Sequence, residues 1–315
     1  MSTILITGGT GFIGQAMVRH LAEAGHRVRI LLRASQQSPN LPRGVPVEVA
    51  VSSLDDGRGL RAALVGVDTI YHLAGGEWRG AYANLMEIDI RGTQNVVAAA
   101  TDAGVRRLFY VSHLGADRAS AYPVFKAKAI AEEYIRRSGI NFTILRTAIV
   151  FGMNDGFTTG LAQLLSFIPF TFIVPGDGET LLQPIWVEDL ATCMAWALED
   201  ENTVNQMYEL GGPEYLTFNQ IIKAVMDNLG LQRRLFHLRP PYLRAITVFL
   251  ENLAPRLPVS VYWLDYLATN RTCSLDTLPR QFNLMPARIA QRLDYLKGRN
   301  WQREVWRSVL LRRMA

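Results

Sequence analysis

The chain has 315 residues, 49% of them hydrophobic, a formal net charge of +5 and two cysteines. That length accommodates one large α/β domain with appended pieces, or two domains. Cys193 and Cys273 lie far apart with no Cys or His at metal-ligand spacing, so neither a disulfide framework nor a zinc site is expected and both read as small buried hydrophobes. Eight basic residues against Asp294 and Glu304 fall within 288–315, leaving the rest near neutral, which argues against a nucleic-acid partner and points to something local at the C-terminus.

Nothing before Ile4 reads as a charged segment leading into an apolar core and a cleavage site. A mature chain starting at Met1 in the cytoplasm is expected, with at most peripheral attachment to the inner face of a membrane. Thr3 to Thr7 reads as a strand and is followed by a glycine loop; Ile13, Ala16, Met17, Leu21 and Ala24 then keep helical spacing up to Gly25. Arg27 to Leu32 and Val45 to Val51 read as buried strands, followed by a helix near Leu60 to Val65 and a strand from Thr69 to Leu73. A long helix is predicted from about Ala81 to Ala103, with Gly104 as its stop. Leu108 to Ser112, a helix over Pro123 to Arg137 and a strand from Phe142 to Ile149 complete the alternation. That pattern predicts a Rossmann-type α/β fold, a doubly wound parallel sheet with a smaller, mostly helical C-terminal part.

After Gly152 the alternation breaks down. Pro184 to Val187, ahead of a helix carrying Leu190, Met194 and Ala197, and Met207 to Leu210, ahead of a helix over Phe218 to Leu229, read as returns to the sheet. The expected division is a nucleotide-binding core over 1–152, a substrate or lid region over 153–239 and a helical extension with a basic amphipathic tail over 240–315. The uncharged stretch Gly156 to Gly176 is too interrupted to span a membrane. It reads as a helix and a strand closing over the nicotinamide end of a cofactor, or as a partner surface.

Thr7-Gly8-Gly9-Thr10-Gly11-Phe12-Ile13-Gly14 lies directly between the first strand and the first helix. Gly8 permits the sharp turn, Gly11 lets backbone approach a pyrophosphate, and Gly14 permits close helix packing, while the helix N-terminus supplies N–H groups to phosphate. In that context the string predicts dinucleotide binding. The second strand ends in Leu32-Arg33-Ala34-Ser35 with no acidic residue. Arg33, with Ser35, therefore favours NADP(H) over NAD(H), the alternative being that Arg33 is a solvated surface charge.

The loop, His72-Leu73-Ala74-Gly75, Asp89 to Asn95, Leu145-Arg146 through Phe151-Gly152, and Gln183 to Leu190 together make the chain resemble the extended and atypical short-chain dehydrogenase/reductases, over roughly Met1 to Gly230. Arg107 to Asp117, Lys128 to Glu132 and Pro175 to Gly178 narrow the resemblance to the branch holding the NADPH-binding accessory subunit of complex I and photosystem-assembly proteins. The resemblance implies that Ser53, Leu54, Leu73, Ala74 and Gly75 also meet the cofactor. Ser53 stands where that family often has Asp near the adenine.

Active members of the superfamily use a Tyr, a Lys four residues later on the same helix face, and an orienting Ser or Thr. Tyr122 and Lys126 have the spacing, but Pro123 pushes Tyr122 out of the α region, which makes Pro123 the first helical residue. Lys128 begins the family-like Lys-Ala-Ile-Ala-Glu, and four residues before it stands Val124. Lys126 and Lys128 are about 200° apart on a helix, so only one can reach a cofactor, and Lys128 is the candidate. Both reading as surface lysines is the alternative. Ser112 and His113 are weaker candidates for the orienting Ser and a proton donor, against a structural role for His113. Two functions remain open: a nucleotide-binding scaffold, assembly or accessory protein of a membrane redox complex with degraded catalytic residues, and a working reductase or sugar-nucleotide epimerase/dehydratase. At the C-terminus Trp301, Val305, Trp306, Val309 and Leu310 predict an apolar stripe beside Arg299, Arg303 and Arg307, suited to an anionic membrane surface, a membrane-complex partner or the protein's own body.

Overall fold

In the computed structural model, which describes residues 2–35, 39–253 and 257–310, strands and helices alternate through the first half of the chain. They are β1 (Thr3–Thr7), α1 (Phe12–Glu23), β2 (Arg27–Leu32), β3 (Glu48–Val51), α2 (Gly57–Ala63), β4 (Thr69–His72), α3 (Gly92–Asp102), β5 (Arg107–His113), α4 (Pro123–Arg137) and β6 (Asn141–Thr147). The second half adds β7 (Val150–Phe151), α5 (Thr158–Phe167), β8 (Thr171–Pro175), β9 (Leu181–Leu182), β10 (Ile185–Trp186), α6 (Val187–Glu199), β11 (Gln206–Leu210), β12 (Leu216–Thr217), α7 (Phe218–Leu229), β13 (Arg234–Leu238), α8 (Pro240–Leu253), α9 (Val261–Tyr266), α10 (Thr277–Phe282) and α11 (Trp301–Leu310).

Seven of the strands form one parallel sheet in the order β11-β6-β5-β4-β1-β2-β3. Successive side chains of β1 alternate: Ile4 and Ile6 pack with Met17, Leu21, Leu190 and Met194 of α1 and α6, while Leu5 packs with Leu60, Val96 and Ile135 of α2, α3 and α4. Both faces are thus covered, which is why these strands read as unbroken apolar runs. The chain reverses direction across the sheet between β1 and β4, opening the crevice in which open α/β sheets bind ligands, beyond the strand ends.

A second core lies beside the sheet, built from Leu161 and Leu165 of α5, Phe172 of β8, Ile221 and Val225 of α7, Tyr266 of α9 and Trp301 of α11. Phe125 of α4 and Phe151 of β7 join it to the Rossmann body. Helix α7 is closed by a Thr217/Gln220 capping box at one end and by left-handed Gly230 at the other.

Several expectations need correction. The third strand begins at Glu48 rather than Val45 and forms the sheet edge, leaving Val49 and Val51 exposed. Ile185–Trp186 pairs only with β7 and does not return to the main sheet, whereas β11 does. The single helix expected from Ala81 is three pieces: a 3₁₀ turn at Glu77–Tyr82, a π-helical turn at Met86–Arg91, then α3. Ala83, extended at φ −68° and ψ 115°, interrupts the expected helix just after its start. Cys193 is buried, but Cys273 only partly so. The tail's stripe divides: Trp301 and Val305 are buried against the body and Trp306 is exposed beside the Phe167 ring, while the side chains of Val309 and Leu310 lie outside the described residues, as do Arg312 and Arg313. No helix among the described residues is long and apolar enough to cross a membrane.

Candidate functional site

The crevice between β1 and β4 is floored by backbone. Gly8 takes φ +72°, and a Cβ there would stand 2.7 Å from the Leu73 carbonyl, so the glycine loop and the segment after β4 are in near contact. A Cβ on Gly14 would overlap the Gly8 carbonyl oxygen, and one on Gly9 would stand 2.7 Å from the Ile30 side chain. Gly11 differs, because its Cβ would meet only the Gly8 oxygen, at 3.1 Å. The protein's own packing therefore demands glycine at 8, 9 and 14, whereas at 11 the missing side chain leaves room in the crevice. Gly11 also starts α1, whose first turn carries no side-chain cap and no acidic residue. Unscreened helix N–H groups beside an empty Cβ position fit a dinucleotide diphosphate. The Thr10 carbonyl is held by Gln15 Nε2 at 3.1 Å, and Phe12 and Ile13 pack partly buried against the core.

A directed chain of hydrogen bonds ties this loop to the far side of the crevice. The Ala74 N–H donates to Thr7 Oγ1 at 3.3 Å, and Thr7 Oγ1 lies 2.7 Å from His72 Nδ1. His72 Nε2 lies 2.9 Å from Thr93 Oγ1, which donates to the Asp89 carbonyl at 2.6 Å. Because the Thr93 hydroxyl spends its proton on Asp89, His72 must carry its own on Nε2 and accept from Thr7 at Nδ1. Burial, helped by the charge of Lys128, pushes the His72 pKa down to about 3, so the ring stays neutral. Its role is to fix the positions of Leu73, Ala74 and Gly75.

The chain ends at a buried charge cluster. Lys128 Nζ, on the inward face of α4, lies 3.1 Å from Asp89 Oδ1 and 3.6 Å from Glu77 Oε1, and Glu77 Oε1 is also 3.6 Å from His113 Nε2. The Lys128 side chain is 4% exposed, whereas Lys126 points to solvent, so the 200° separation resolves in favour of Lys128. Asp89 Oδ2 accepts from the Gly76 N–H at 3.0 Å, and Glu77 folds back against Gly75. Burial opposes the charge on Lys128, but Glu77, Tyr110 and Asp89 together hold its pKa well above the ordinary value. Burial also opposes the charge on Glu77, yet Lys128 and then His113 keep that carboxyl below the usual range. Asp89 is pushed upward, by burial first and by the neighbouring Glu77 charge. One ammonium thus faces two carboxylates, and Asp89 is the one placed to hold a proton.

The remaining sequence candidates gather around this cluster without equal roles. Ser112 Oγ is fully buried with no hydrogen-bond partner among the described residues. The His113 ring nitrogens likewise make no hydrogen bond, and the ring sits about 6 Å from those of Phe125, Tyr262 and Tyr266. Tyr122 is extended at φ −95° and ψ 120° ahead of Pro123, and Val124 is buried. No Tyr therefore stands one turn before Lys128. Ser53 and Leu54 follow β3; the Leu54 carbonyl is held by Asn95 Nδ2 at 2.8 Å and its side chain rests on Gly92. Arg33 is exposed just beyond the end of β2, not within it.

Sequence reasoning missed Glu77, Asp89, Arg271, Tyr262 and Tyr266. Arg271, only 6% exposed, stacks 3.7 Å from the centre of the Phe125 ring. Asp89 opens the Asp89 to Asn95 segment, and its signal is an acidic residue between Ile88 and Ile90 on a helical turn. A surface cleft of about 740 Å³ between α7 and residues 296–302 contains none of these residues. No group of His, Cys, Asp and Glu among the described residues could hold a metal.

A Rossmann body with a glycine-rich loop at the sheet's reversal point and a buried Lys on α4 defines an NAD(P)-binding protein of the short-chain dehydrogenase/reductase type. The chain belongs to the NmrA-like family, whose pattern it matches over residues 1–265. It is 26% identical over 262 residues to the mitochondrial NADH dehydrogenase [ubiquinone] 1 alpha subcomplex subunit 9 of Arabidopsis thaliana, covering 80% of this chain and 64% of that protein. It spans about three fifths of the length of such relatives. It is also 26% identical over 319 residues to the 2-alkyl-3-oxoalkanoate reductase of Stenotrophomonas maltophilia, covering 90% of this chain and 94% of that protein. In fold it is similar to an NADPH-dependent quinone oxidoreductase from Escherichia coli, with a TM-score of 0.72 at 20% identity, over 93% of this chain and 99% of that one.

Proposed function

We propose that this protein binds NADP(H) as an accessory or assembly factor of a membrane redox complex and does not turn the nucleotide over. The observation that carries the reading is Val124, a buried apolar residue at the place one helical turn before Lys128 where an active reductase has its Tyr. Without that hydroxyl the α4 face lacks the Tyr that in an active reductase hands a proton to the carbonyl as hydride arrives. NADP(H) supplies a hydride donor or acceptor when bound. Gly8 to Gly14 would hold its diphosphate, Arg33 its 2′-phosphate, Ser53 and Leu54 its adenine end, and Lys128 with Leu73 to Gly75 its nicotinamide ribose.

The likeness to complex I subunits supports a membrane-complex partner, with residues 240–315 as the docking part and 153–239 covering the nicotinamide end. Exposed Arg303 and Arg307 leave the tail able to contribute, although its Trp301 side is committed to the body. Titration with NADPH and NADH, followed by assays for NADPH oxidation with quinones, simple carbonyls and sugar nucleotides, tests the reading. Tight NADPH binding without turnover is the expected result, and steady NADPH oxidation with any of these overturns it.

A reductase reading has one observation in its favour. Helix α9 places Tyr262 beside His113, where burial keeps its hydroxyl protonated and so able to donate. If turnover is found, Tyr262→Phe should abolish it and Tyr122→Phe should not.

A further inference from the structure

Helix α8 is built inside out. Its two buried residues, Thr247 and Glu251, are polar, whereas Tyr242, Ile246 and Phe249 are 63%, 45% and 66% exposed. Those three stand at i, i+4 and i+7, within about 60° of arc on one face. Glu251 lies on the opposite face: its Oε1 accepts from the Val261 N–H at 3.0 Å and its Oε2 from the Ala81 N–H at 3.3 Å. A buried carboxylate with two backbone donors is costly to withdraw, so this anchor keeps the apolar face turned outward.

The strand that precedes the helix is also exposed and apolar at Phe236. Strand β13 runs into α8 and pairs with β8, and across that pair the register partners Phe236 and Ile173 are both exposed. From Leu231 to Leu253 the only acidic residue is the inward Glu251, against Arg233, Arg234, Arg239 and Arg244. Arg233 bonds the Leu165 and Ile168 carbonyls and Arg244 pairs with Asp265, while Arg234 and Arg239 are exposed.

We infer that α8 and the β8/β13 pair form a docking surface for an anionic lipid bilayer. Tyr242, Ile246 and Phe249 enter the headgroup boundary, and Arg234 and Arg239 meet lipid phosphate. This deepens the membrane-side part of the function proposed above and rests on it. Charge selects the occupant. The exposed Arg234 and Arg239 complement anionic headgroups, whereas a two-fold dimer through this face would set the same arginines against their copies. An aromatic and aliphatic helix face with basic flanks, on a helix too short to span, is the pattern of interfacial rather than transmembrane binding.

The test is flotation of the full chain with vesicles of phosphatidylcholine alone and of phosphatidylcholine with phosphatidylglycerol. NADPH affinity is measured on the same samples. The wild type should float with the anionic vesicles at low salt and be released at high salt. The double variant Ile246→Asp/Phe249→Asp should lose at least about tenfold in partitioning, and Arg234→Ser or Arg239→Ser about fivefold each. Val65→Asp, at an exposed apolar position on the Rossmann body, should change neither flotation nor NADPH affinity. Wild-type protein that binds NADPH but stays with the soluble fraction overturns the docking surface and leaves the nucleotide reading standing. Flotation without NADPH affinity does the reverse. A dimer in sedimentation that the double variant splits would show a second copy on this face and would also overturn the inference.

Discussion

The loop from Thr7 to Gly14 and the cluster around Lys128 face one crevice but are made of different materials. The loop is eight consecutive residues that offer backbone N–H groups and carry no charge of their own. The cluster is four ionisable side chains, Glu77, Asp89, His113 and Lys128, brought together from four separate segments. A site made of backbone is damaged by any added side chain and is indifferent to ionisation. A site made of buried charges is damaged by removing one partner, because the survivors then lie unpaired in a poor solvent. The two halves of the crevice should therefore fail in different ways, and substitutions can separate them.

The largest effect is expected in the cluster. Lys128→Met leaves Asp89 and Glu77 facing each other without a cation, and breaking such a pair costs about 3 to 5 kcal/mol. Urea denaturation should show it, and adding Asp89→Asn should recover part of the loss; a Lys128→Met protein as stable as wild type would mean that the cluster is not a buried ion pair. The loop should respond less in stability and more in binding. Gly14→Ala drives a methyl into the Gly8 carbonyl, an overpacking cost of about 1 to 3 kcal/mol. NADPH affinity should fall with it, whereas unchanged affinity would remove the loop from the nucleotide site.

The same contrast explains what the sequence made legible. The loop could be read because its chemistry is local: three glycine spacings between a strand and a helix specify the turn, the approach and the packing without reference to anything distant. The register of α4 was also legible, since Pro123 fixes the first helical residue and places Val124 one turn before Lys128. Glu77 and Asp89 were not. They sit on a 3₁₀ turn and a π-helical turn where a continuous helix was expected, and only those altered windings bring both carboxylates to Lys128. Tyr262 and Arg271 come from a region whose periodicity predicted helix but no direction. The tail left a choice open: its stripe was legible at Trp301 and Val305, but an amphipathic pattern does not say which apolar surface it covers, and the structure packs those two against the body.

His72 joins the two halves and allows a finer test. Its folded-state pKa, about 3, lies below the unfolded value of 6.5, so the unfolded chain binds the extra proton first. Stability from this residue is fully present above about pH 6.5 and is lost as the pH falls toward 3, at about 1.4 kcal/mol per pH unit. Between pH 7 and about pH 5 the wild type should therefore lose about 2 kcal/mol from His72. His72→Gln should be less stable at pH 7 but should lose correspondingly less over that interval. Equal losses in the two proteins would show that His72 is not held neutral, and the directed chain from Thr7 to Asp89 would have to be drawn differently.

The smallest effect concerns Arg33, a side chain that lies outside the loop. Backbone N–H groups at the start of α1 recognise the diphosphate that NADP(H) and NAD(H) share, so they cannot tell the two apart. Discrimination must come from a group near the adenosine ribose. Arg33 stands exposed just past β2, and no acidic residue accompanies it there to repel a 2′-phosphate. A guanidinium paired with phosphate in partial contact with water should favour NADPH by about tenfold. The pairing is electrostatic, so the preference should shrink as salt is raised while the affinity for NADH changes little. Arg33→Ala should bring the two dissociation constants to within about twofold of each other by weakening NADPH alone. If the ratio survives in the variant, Arg33 is a solvated surface charge and the preference arises elsewhere. If the wild type shows no preference at all, Arg33 contributes nothing to cofactor choice.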